Sequence, residues 1–522
     1  MLTSEQEKAA AHLYGPALVS AGPGSGKTRV LTERIARLCM EVPAADICVF
    51  TFTQAAAREM KQRFEAEAGD EKAAQIAFGT FHSIFFRWLR RWGVISKNTI
   101  VDAELDDSRD SEIPAFSMGQ RDRDSMNVIG FDEIIERTRE AVLLRGFRMS
   151  YRFYLIDEFQ DIDSVQYDIV KALVFPENNL FAVGDEDQSI YGFRGTKPSV
   201  MMDFIRDFPD VTHLYLSENF RCSQAISSLS QCLIRQNRDR FDKDMISHVP
   251  SPSPVKISHY RDTMEELRKT AEQIRSLHLA KRIPYHQMAV LLRTRVEGDM
   301  MISALKEAAI PADNRILRDS EFQHKDFVLV RRDLERFMTA AAAPDLPDSI
   351  RTLSICFPLL KDRDRKDLSA EERIEIESGI RVIERFKKLP LFLVAMDLLW
   401  NSTYGEYLKN KCEKNGIPGW YILLQLMFLA RKEGKGVRIT TMHGAKGLEF
   451  EAVWIPGLNE NSMPRYEAVS ASEIEEERRL LYVAMTRARK YLFMSFNDER
   501  EISRFLKEMG YRDQPRLHGQ SG

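Results

Sequence analysis

The stretch that most limits what this chain can become is AGPGSGKT, Ala21 to Thr28. It follows a short apolar run, PALVSA, and leads into RVLTERIARLCM, a sequence of good helix formers. A strand, a glycine-rich turn and a helix in that order build a loop whose backbone N–H groups turn inward onto phosphate oxygens, and the helix N-terminus adds its dipole. In such a loop Lys27 reaches the β- and γ-phosphates and the Thr28 hydroxyl ligates Mg²⁺. Ala21 stands where the pattern usually begins with glycine, a mild departure. The competing reading, an ordinary glycine-rich turn, is outweighed by the strand–loop–helix context.

The same alternation continues along the chain. DICVFTFT (46–53) is β-branched and aromatic, and QAAAREMKQRF after it favours helix. FYLIDE (153–158) and NLFAVGDE (179–186) are short apolar runs that end in acids. Strands alternating with helices imply an α/β fold with a parallel sheet, whose ligand sits beyond the carboxyl ends of the strands. From about 215 the rhythm restarts, with THLYLSENF, QMAVLLRT (287–294), VRITTMH (437–443) and EAVWIPG (451–457) reading as strands of a second α/β domain. Residues 96–130 are polar and weakly periodic, and 320–430 are charged, leucine-rich and mainly helical. Both read as insertions, the first partly disordered.

Composition bounds the classes. The 522 residues suffice for several cores, and 44% hydrophobic with 29% charged residues is an ordinary globular balance. No segment reaches the roughly 18 apolar residues of a membrane span, and Leu389 to Trp400 is interrupted by Asp397 and reads as a buried helix. The start, MLTSEQEKAAAHL, lacks the layout of a secretory signal. Six cysteines, with no CxxC pair, argue against a disulfide framework, a structural zinc or an iron–sulfur site, and suit the cytoplasm. A net charge of −3 announces no nucleic-acid binder, so any DNA contact must come from local basic and aromatic groups.

The acids after FYLI complete the chemistry. Asp157, at the end of a strand, can hold Mg²⁺ directly or through water, and Glu158 can orient or deprotonate an attacking water. Alone the pair is weak evidence, because acids commonly end strands. With the upstream loop it reads as Mg·ATP hydrolysis. Arg221 in LSENFRCS and Arg487 in LLYVAMTRARK would be surface charges in isolation. Phosphoryl transfer, however, needs positive charge on the moving group, and an arginine finger supplies about 10³ to 10⁵ in rate.

These motifs, in order AGPGSGKT, FTFTQAAAREM, GTFHS, LIDEFQD, VGDEDQSIYGFRG, ENFRCS, TTMHGAKGLEF and EEERRLLYVAMTRAR, resemble those of superfamily 1A DNA helicases of the UvrD/Rep/PcrA type. DEFQD and DQSIY favour this branch over the oppositely moving superfamily 1B. The resemblance spans residues 2 to about 496 and implies two RecA-like parallel-sheet motor domains with helical insertions. The first domain would comprise 1–95 and 146–214 around a reduced 1B-like insertion at 96–145; the second, 215–318 and 433–505 around a 2B-like insertion at 319–432; 506–522 would be a tail.

Residue by residue, the resemblance implies an ATP and Mg²⁺ site made by Ala21, Gly22, Pro23, Gly24, Ser25, Gly26, Lys27 and Thr28, with Asp157 as second metal ligand. Gln6 would read the adenine, Arg29 and Phe220 would flank it, and Glu449 would contact the ribose. Gln188 resembles the γ-phosphate sensor on which Arg221 and Arg487 close. Thr51, Phe52, Thr53, Thr80, His82, Tyr191, Phe193, Arg194 and His443 resemble contacts to single-stranded DNA. Bases stacked on aromatic rings are worth about 1–3 kcal/mol each, largely regardless of sequence. Phe193 stands where the family usually has tryptophan, and FFRWLRRW (85–92) reads as an amphipathic core helix rather than a DNA groove.

The implied activity is ATP-dependent 3′-to-5′ translocation on single-stranded DNA, with unwinding at single-strand/duplex junctions. The compact insertions raise a second expectation, a motor subunit that works with a protein partner such as a nuclease. A nucleotide-gated DNA-binding protein with little turnover is a third, opposed by Lys27, Asp157, Glu158 and Arg487 all being present.

Overall fold

In chain order the first half forms β1 (Ala17–Ala21), β2 (Ile47–Thr51), β3 (Ala77–Thr80), β4 (Ile100–Val101), β5 (Val128–Ile129), β6 (Phe153–Ile156), β7 (Leu180–Gly184) and β8 (Thr212–Leu216). All but β4 and β5, which pair with each other, join one parallel sheet in the order β3-β2-β6-β7-β1-β8. This is a computed structural model, and it describes residues 2–97, 99–101, 128–192, 196, 199–294, 296–314 and 436–512. The expected 2B-like insertion at 319–432, most of the expected 1B-like one, and Phe193 and Arg194 lie outside the described residues. The described residues belong to one compact unit, Met1–Leu317 with Lys435–Gly522.

Strands β1, β2, β6 and β7 are buried from end to end, as near-continuous apolar runs are in sheets covered on both faces. The helices are α1 (Ser4–Ala11), α2 (Lys27–Glu41), α3 (Gln54–Ala68), α4 (Asp70–Gln75), α5 (Phe81–Arg91), α6 (Phe131–Arg139), α7 (Ser164–Val174) and α8 (Val200–Asp207). The arginine-studded FFRWLRRW falls in α5, where Phe85, Phe86, Trp88 and Leu89 are buried, so the core-helix reading holds. Phe50 stacks on Phe81 at 4.4 Å within this core, and truncating such a ring costs about 3–5 kcal/mol. Phe131, Ile134 and Ile135 of α6 join the same core. The first domain therefore already resumes at Phe131, inside the range that the sequence assigned to the insertion.

One strand changes domains. THLYL reads as the opening strand of the second half, yet as β8 it pairs with β1 from Ala17↔Thr212 to Ala21↔Leu216. It is the edge of the first sheet, exposed at Thr212 and Tyr215. An edge strand alternates in polarity where its buried neighbours do not, and that misdirects a reading by apolar runs.

The second half supplies β9 (Glu218–Ser223), β10 (Ile246–Val249), β11 (Lys256–Tyr260), β12 (Met288–Leu292), β13 (Ala312–Asn314), β14 (Val437–Thr441), β15 (Phe450–Ile455) and β16 (Ala488–Asn497). β9 and β10 pair, and the others form a parallel sheet in the order β11-β16-β15-β12-β14-β13. Its helices are α9 (Gln224–Ile234), α10 (Thr263–Lys281), α11 (Val296–Glu307), α12 (Ala471–Met485) and α13 (Arg504–Glu508). Two parallel α/β sheets match the expected fold class.

Candidate nucleotide-binding site

The glycine-rich loop leaves the carboxyl end of β1 and enters α2 at Lys27. Gly24 (φ +68°) and Gly26 (φ +85°) take left-handed backbone that side chains resist. Space forbids a side chain as well: a Cβ on Gly24 would lie 2.4 Å from Arg221 Cβ, and one on Gly26 would lie 2.7 Å from Gln6 Nε2. Ser25 is buried and its hydroxyl donates to Gly22 O at 2.8 Å, which closes the turn. Lys27 Nζ reaches back to Ala21 O at 3.4 Å. Pro23 is buried, Thr28 is half-buried beside Lys27, and Arg29 is exposed in the first turn of α2.

Gln6, assigned to the adenine, lies against the loop with both ends of its amide engaged. Nε2 donates to Ser25 O at 2.9 Å, and Oε1 accepts from Thr3 N at 3.1 Å in the capping box of α1. From the second half, Phe220 N–H donates to Gly24 O at 3.1 Å and Arg221 packs over the loop. Arg221 Nε pairs with Glu449 Oε2 at 2.8 Å, so two residues assigned separate contacts face each other. The Phe220 ring is exposed on one side and stacks on His248 at 5.1 Å on the other.

Asp157 and Glu158 sit at the end of β6. Glu158 is a non-glycine residue at φ 52°, a left-handed position uncommon for a residue with a side chain. Burial, then the neighbouring Glu158, pushes the Asp157 carboxyl up to about 7, against the pull of Lys27. Burial also opposes ionisation of Glu158, but Lys27, Lys446 and a 2.6 Å bond from Gln160 Nε2 outweigh it and hold it low. The crowded pair thus divides into a carboxylate kept charged and one whose burial and acidic neighbour outweigh the pull of Lys27. A hydroxyl at Thr28, the carboxylate of Asp157 and cations from both halves fit a magnesium nucleotide.

Gln188 lies just past β7, and its side chain is buried between the two halves of the chain. Its Nε2 donates to Asp185 Oδ2, and its Oε1 accepts from Arg487 Nη2 at 3.1 Å. Arg487 follows the last turn of α12 and is 2% exposed. Burial, and then Arg221, draws its guanidinium down to about 10. Gln188 and Arg487, assigned to one cluster from the sequence, are thus brought into direct contact.

The DNA-facing assignments divide. Phe52 and Tyr191 stack on each other, with ring centroids 5.2 Å apart and planes 14° apart. The Thr51 hydroxyl donates to Thr53 O at 2.9 Å, Thr53 Oγ1 caps α3, and Thr80 Oγ1 accepts from Ser83 N and Gln54 Nε2, both at 3.3 Å. These three hydroxyls shape the loops at the sheet's end. His82 packs edge-on against Phe131, and burial pulls its imidazole down to about 4, so it stands neutral. A neutral, packed ring is a poor partner for phosphate, which favours the structural role for His82. His443 opens a short turn after β14 and is half-exposed.

Two lysines that sequence reasoning passed over belong to the site. Lys446 Nζ bonds Asp161 Oδ2 and Gln188 O (2.8 Å), and lies 4.7 Å from the centre of the Tyr191 ring. Lys243, 6% exposed, bonds Asp185 Oδ1 at 2.7 Å and Glu186 Oε2 at 2.8 Å. Beside it Arg240 forks onto Asp187 at 3.1 and 3.0 Å. Lys446 stands inside the motif TTMHGAKGLEF, where it was not singled out; Lys243 sits in no motif, and its signal was the run of acids in GDED, which needs cations if buried.

Comparison with known proteins agrees with this geometry. The UvrD/REP helicase N-terminal domain matches residues 2–113 and 104–209, and the UvrD-like helicase C-terminal domain matches 214–323 and 423–499. YjcD of Bacillus subtilis, named as an ATP-dependent DNA helicase, is 28% identical and is covered over 82% of its length by 99% of this chain. The ATP-dependent DNA helicase PcrA of Staphylococcus aureus is 27% identical, with 97% of this chain and 86% of that protein covered. PcrA of Staphylococcus epidermidis is 28% identical over the same shares. Matched in both halves and along nearly its whole length, the chain belongs to the UvrD/PcrA type of superfamily 1A helicases.

Proposed function

We propose that this chain is an ATP-dependent DNA helicase that hydrolyses Mg·ATP to move 3′-to-5′ along single-stranded DNA. One observation carries the reading. Within five residues of one segment, Gln188 faces Arg487 in the nucleotide cleft while Tyr191 joins Phe52 in an aromatic stack. A carboxamide that senses phosphate and a ring that meets bases are thus parts of one short backbone run.

When bound, the magnesium ion supplies charge on the phosphates. The chain's own residues do the rest. The loop amides and Lys27 hold the phosphates, and the Phe220 face receives the base. Glu158, kept ionised, orients the attacking water and takes its proton. Arg487 and Arg221 bring charge from the second half onto the transferring group. For its donor to reach a phosphate, the Gln188 amide, three residues before Tyr191 in the same segment, must leave Asp185. The helicase motifs support the polarity, and the free thiols of Cys39, Cys48, Cys222 and Cys232 support a cytoplasmic setting. No described helix is long and apolar enough to cross a membrane.

Duplexes carrying a 3′ or a 5′ single-stranded tail test the reading. Unwinding of the 3′-tailed duplex alone, dependent on ATP and Mg²⁺, is the expected result; preference for the 5′ tail would reverse the polarity. A second reading, a motor that requires a protein partner, draws on the C-terminal family match passing over residues 324–422. Strong DNA-stimulated ATPase without unwinding of either duplex would favour it.

A further inference from the structure

Helix α12 holds the segment from Gln188 to Gly192 at three points. Beyond its carboxyl end, Arg487 Nη2 donates to Gln188 Oε1 at 3.1 Å. Two turns earlier, Arg479 Nε donates to Ser189 O at 3.0 Å. Nearer the amino end, Glu476 Oε1 accepts from the Gly192 N–H at 2.9 Å. Glu476 and Arg479, three residues apart, share one face of the helix, and Arg487 follows two residues after its last turn, so the three contacts lie along one continuous stretch of backbone.

The last contact is built closely. A Cβ on Gly192 would lie 2.3 Å from Glu476 Oε2 and 2.9 Å from its Cδ. A side chain at position 192 would therefore push the Glu476 carboxylate from its place over the Cα. Its neighbour Tyr191 stacks on Phe52 and takes Lys446 over its ring. Glu476 itself is half-buried and, among the described residues, touches none of the groups that cradle the nucleotide.

We propose that Glu476 is a positioning residue that fastens the DNA-facing end of this segment to α12, so that the helix and the arginine directly after it are tied to both the nucleotide cleft and Tyr191. Without the Glu476 bond, Arg487 still closes on the cleft, but its movement no longer reaches Tyr191. This rests on the reading of Tyr191 as a DNA contact.

The test is ATP turnover by the full chain, without DNA and across a titration of oligothymidylate. For Glu476→Ala, turnover without DNA and the KM for ATP stay at the wild-type values, and maximal stimulation falls about tenfold, the loss that one charge-assisted hydrogen bond corresponds to. Glu476→Gln keeps a carbonyl acceptor and retains stimulation, which a merely structural role would not require. Gly192→Ala, pressing from the other side, reproduces the Glu476→Ala loss. Full stimulation in Glu476→Ala overturns the proposal, and so does a parallel fall with and without DNA. Wild-type chain that oligothymidylate does not stimulate overturns the underlying reading of Tyr191 instead.

Discussion

Gln188 Oε1 and Arg487 Nη2 meet at 3.1 Å although 299 residues separate them in the chain. The contact joins the end of a strand in the first sheet to the end of a helix on the second, with both partners almost wholly buried. Desolvation sharpens what such a guanidinium can do, because a charge excluded from water acts more strongly on a phosphoryl group. Arg487→Ala is expected to lower turnover by about 10³ or more while leaving ATP affinity within an order of magnitude. Turnover against the affinity for a fluorescent ATP analogue separates the two. A variant that hydrolyses at near wild-type rate removes Arg487 from the reaction.

Lys27 opens α2 directly beneath the loop and acts on Asp157, Glu158 and Asp185 together. Lys27→Ala should abolish measurable hydrolysis with the fold intact, as circular dichroism would report. Persistent hydrolysis would place the phosphate site elsewhere.

Lys243 compensates Asp185 and Glu186 at 2.7 and 2.8 Å in the interior. Removing one partner of a buried ion pair strands the other charge and costs about 3–5 kcal/mol. Lys243→Met is expected to lower the melting temperature sharply, and adding Asp185→Asn should recover part of the loss. Equal melting points for wild type and Lys243→Met would mean that the acids do not depend on it.

Burial, opposed by Lys243 and reinforced by Asp187 and Asp185, raises the Glu186 carboxyl from its ordinary 4.5 to about 7. A carboxyl raised in the folded state favours folding when protonated. Its contribution is complete below 4.5 and is lost as pH rises through about 7. Denaturant midpoints should therefore fall between pH 5 and 7.5, and Glu186→Gln should flatten that slope. An unchanged slope in the variant would assign it to other groups, Asp157 among them.

Tyr191 stacks on Phe52 and lies under Lys446. Tyr191→Ala should weaken single-stranded DNA binding by about 1–3 kcal/mol, the worth of one stacked base. Turnover without DNA should change little. Equal losses with and without DNA would make the ring a structural element.

The parts of the site visible in the sequence are those whose chemistry is local. The loop from Ala21 to Thr28, the Asp157–Glu158 pair and the Gln188 segment each carry their meaning in a few adjacent residues. Lys243 carries none locally, since it matters only because acids from elsewhere in the chain fold onto it, and Lys446, although inside a motif, shows its partner Asp161 only in the fold. Gly192 likewise carries no mark in the sequence, and its place is seen only with Glu476 over its Cα. Among strands, the buried runs β1, β2, β6 and β7 were plain, whereas β8 was legible as a strand but not as the edge of the first sheet, and β11, also at an edge, mixes polar with apolar residues. β16 opens with ARK directly after α12, so its start reads as a continuation of the helix.

ATP turnover by the purified chain, with and without a single-stranded DNA oligonucleotide at low and moderate salt, tests the central claim most directly. The account predicts strong stimulation that fades as salt rises, because phosphate contacts release counterions on binding. Turnover that ignores DNA at both salt concentrations would contradict it.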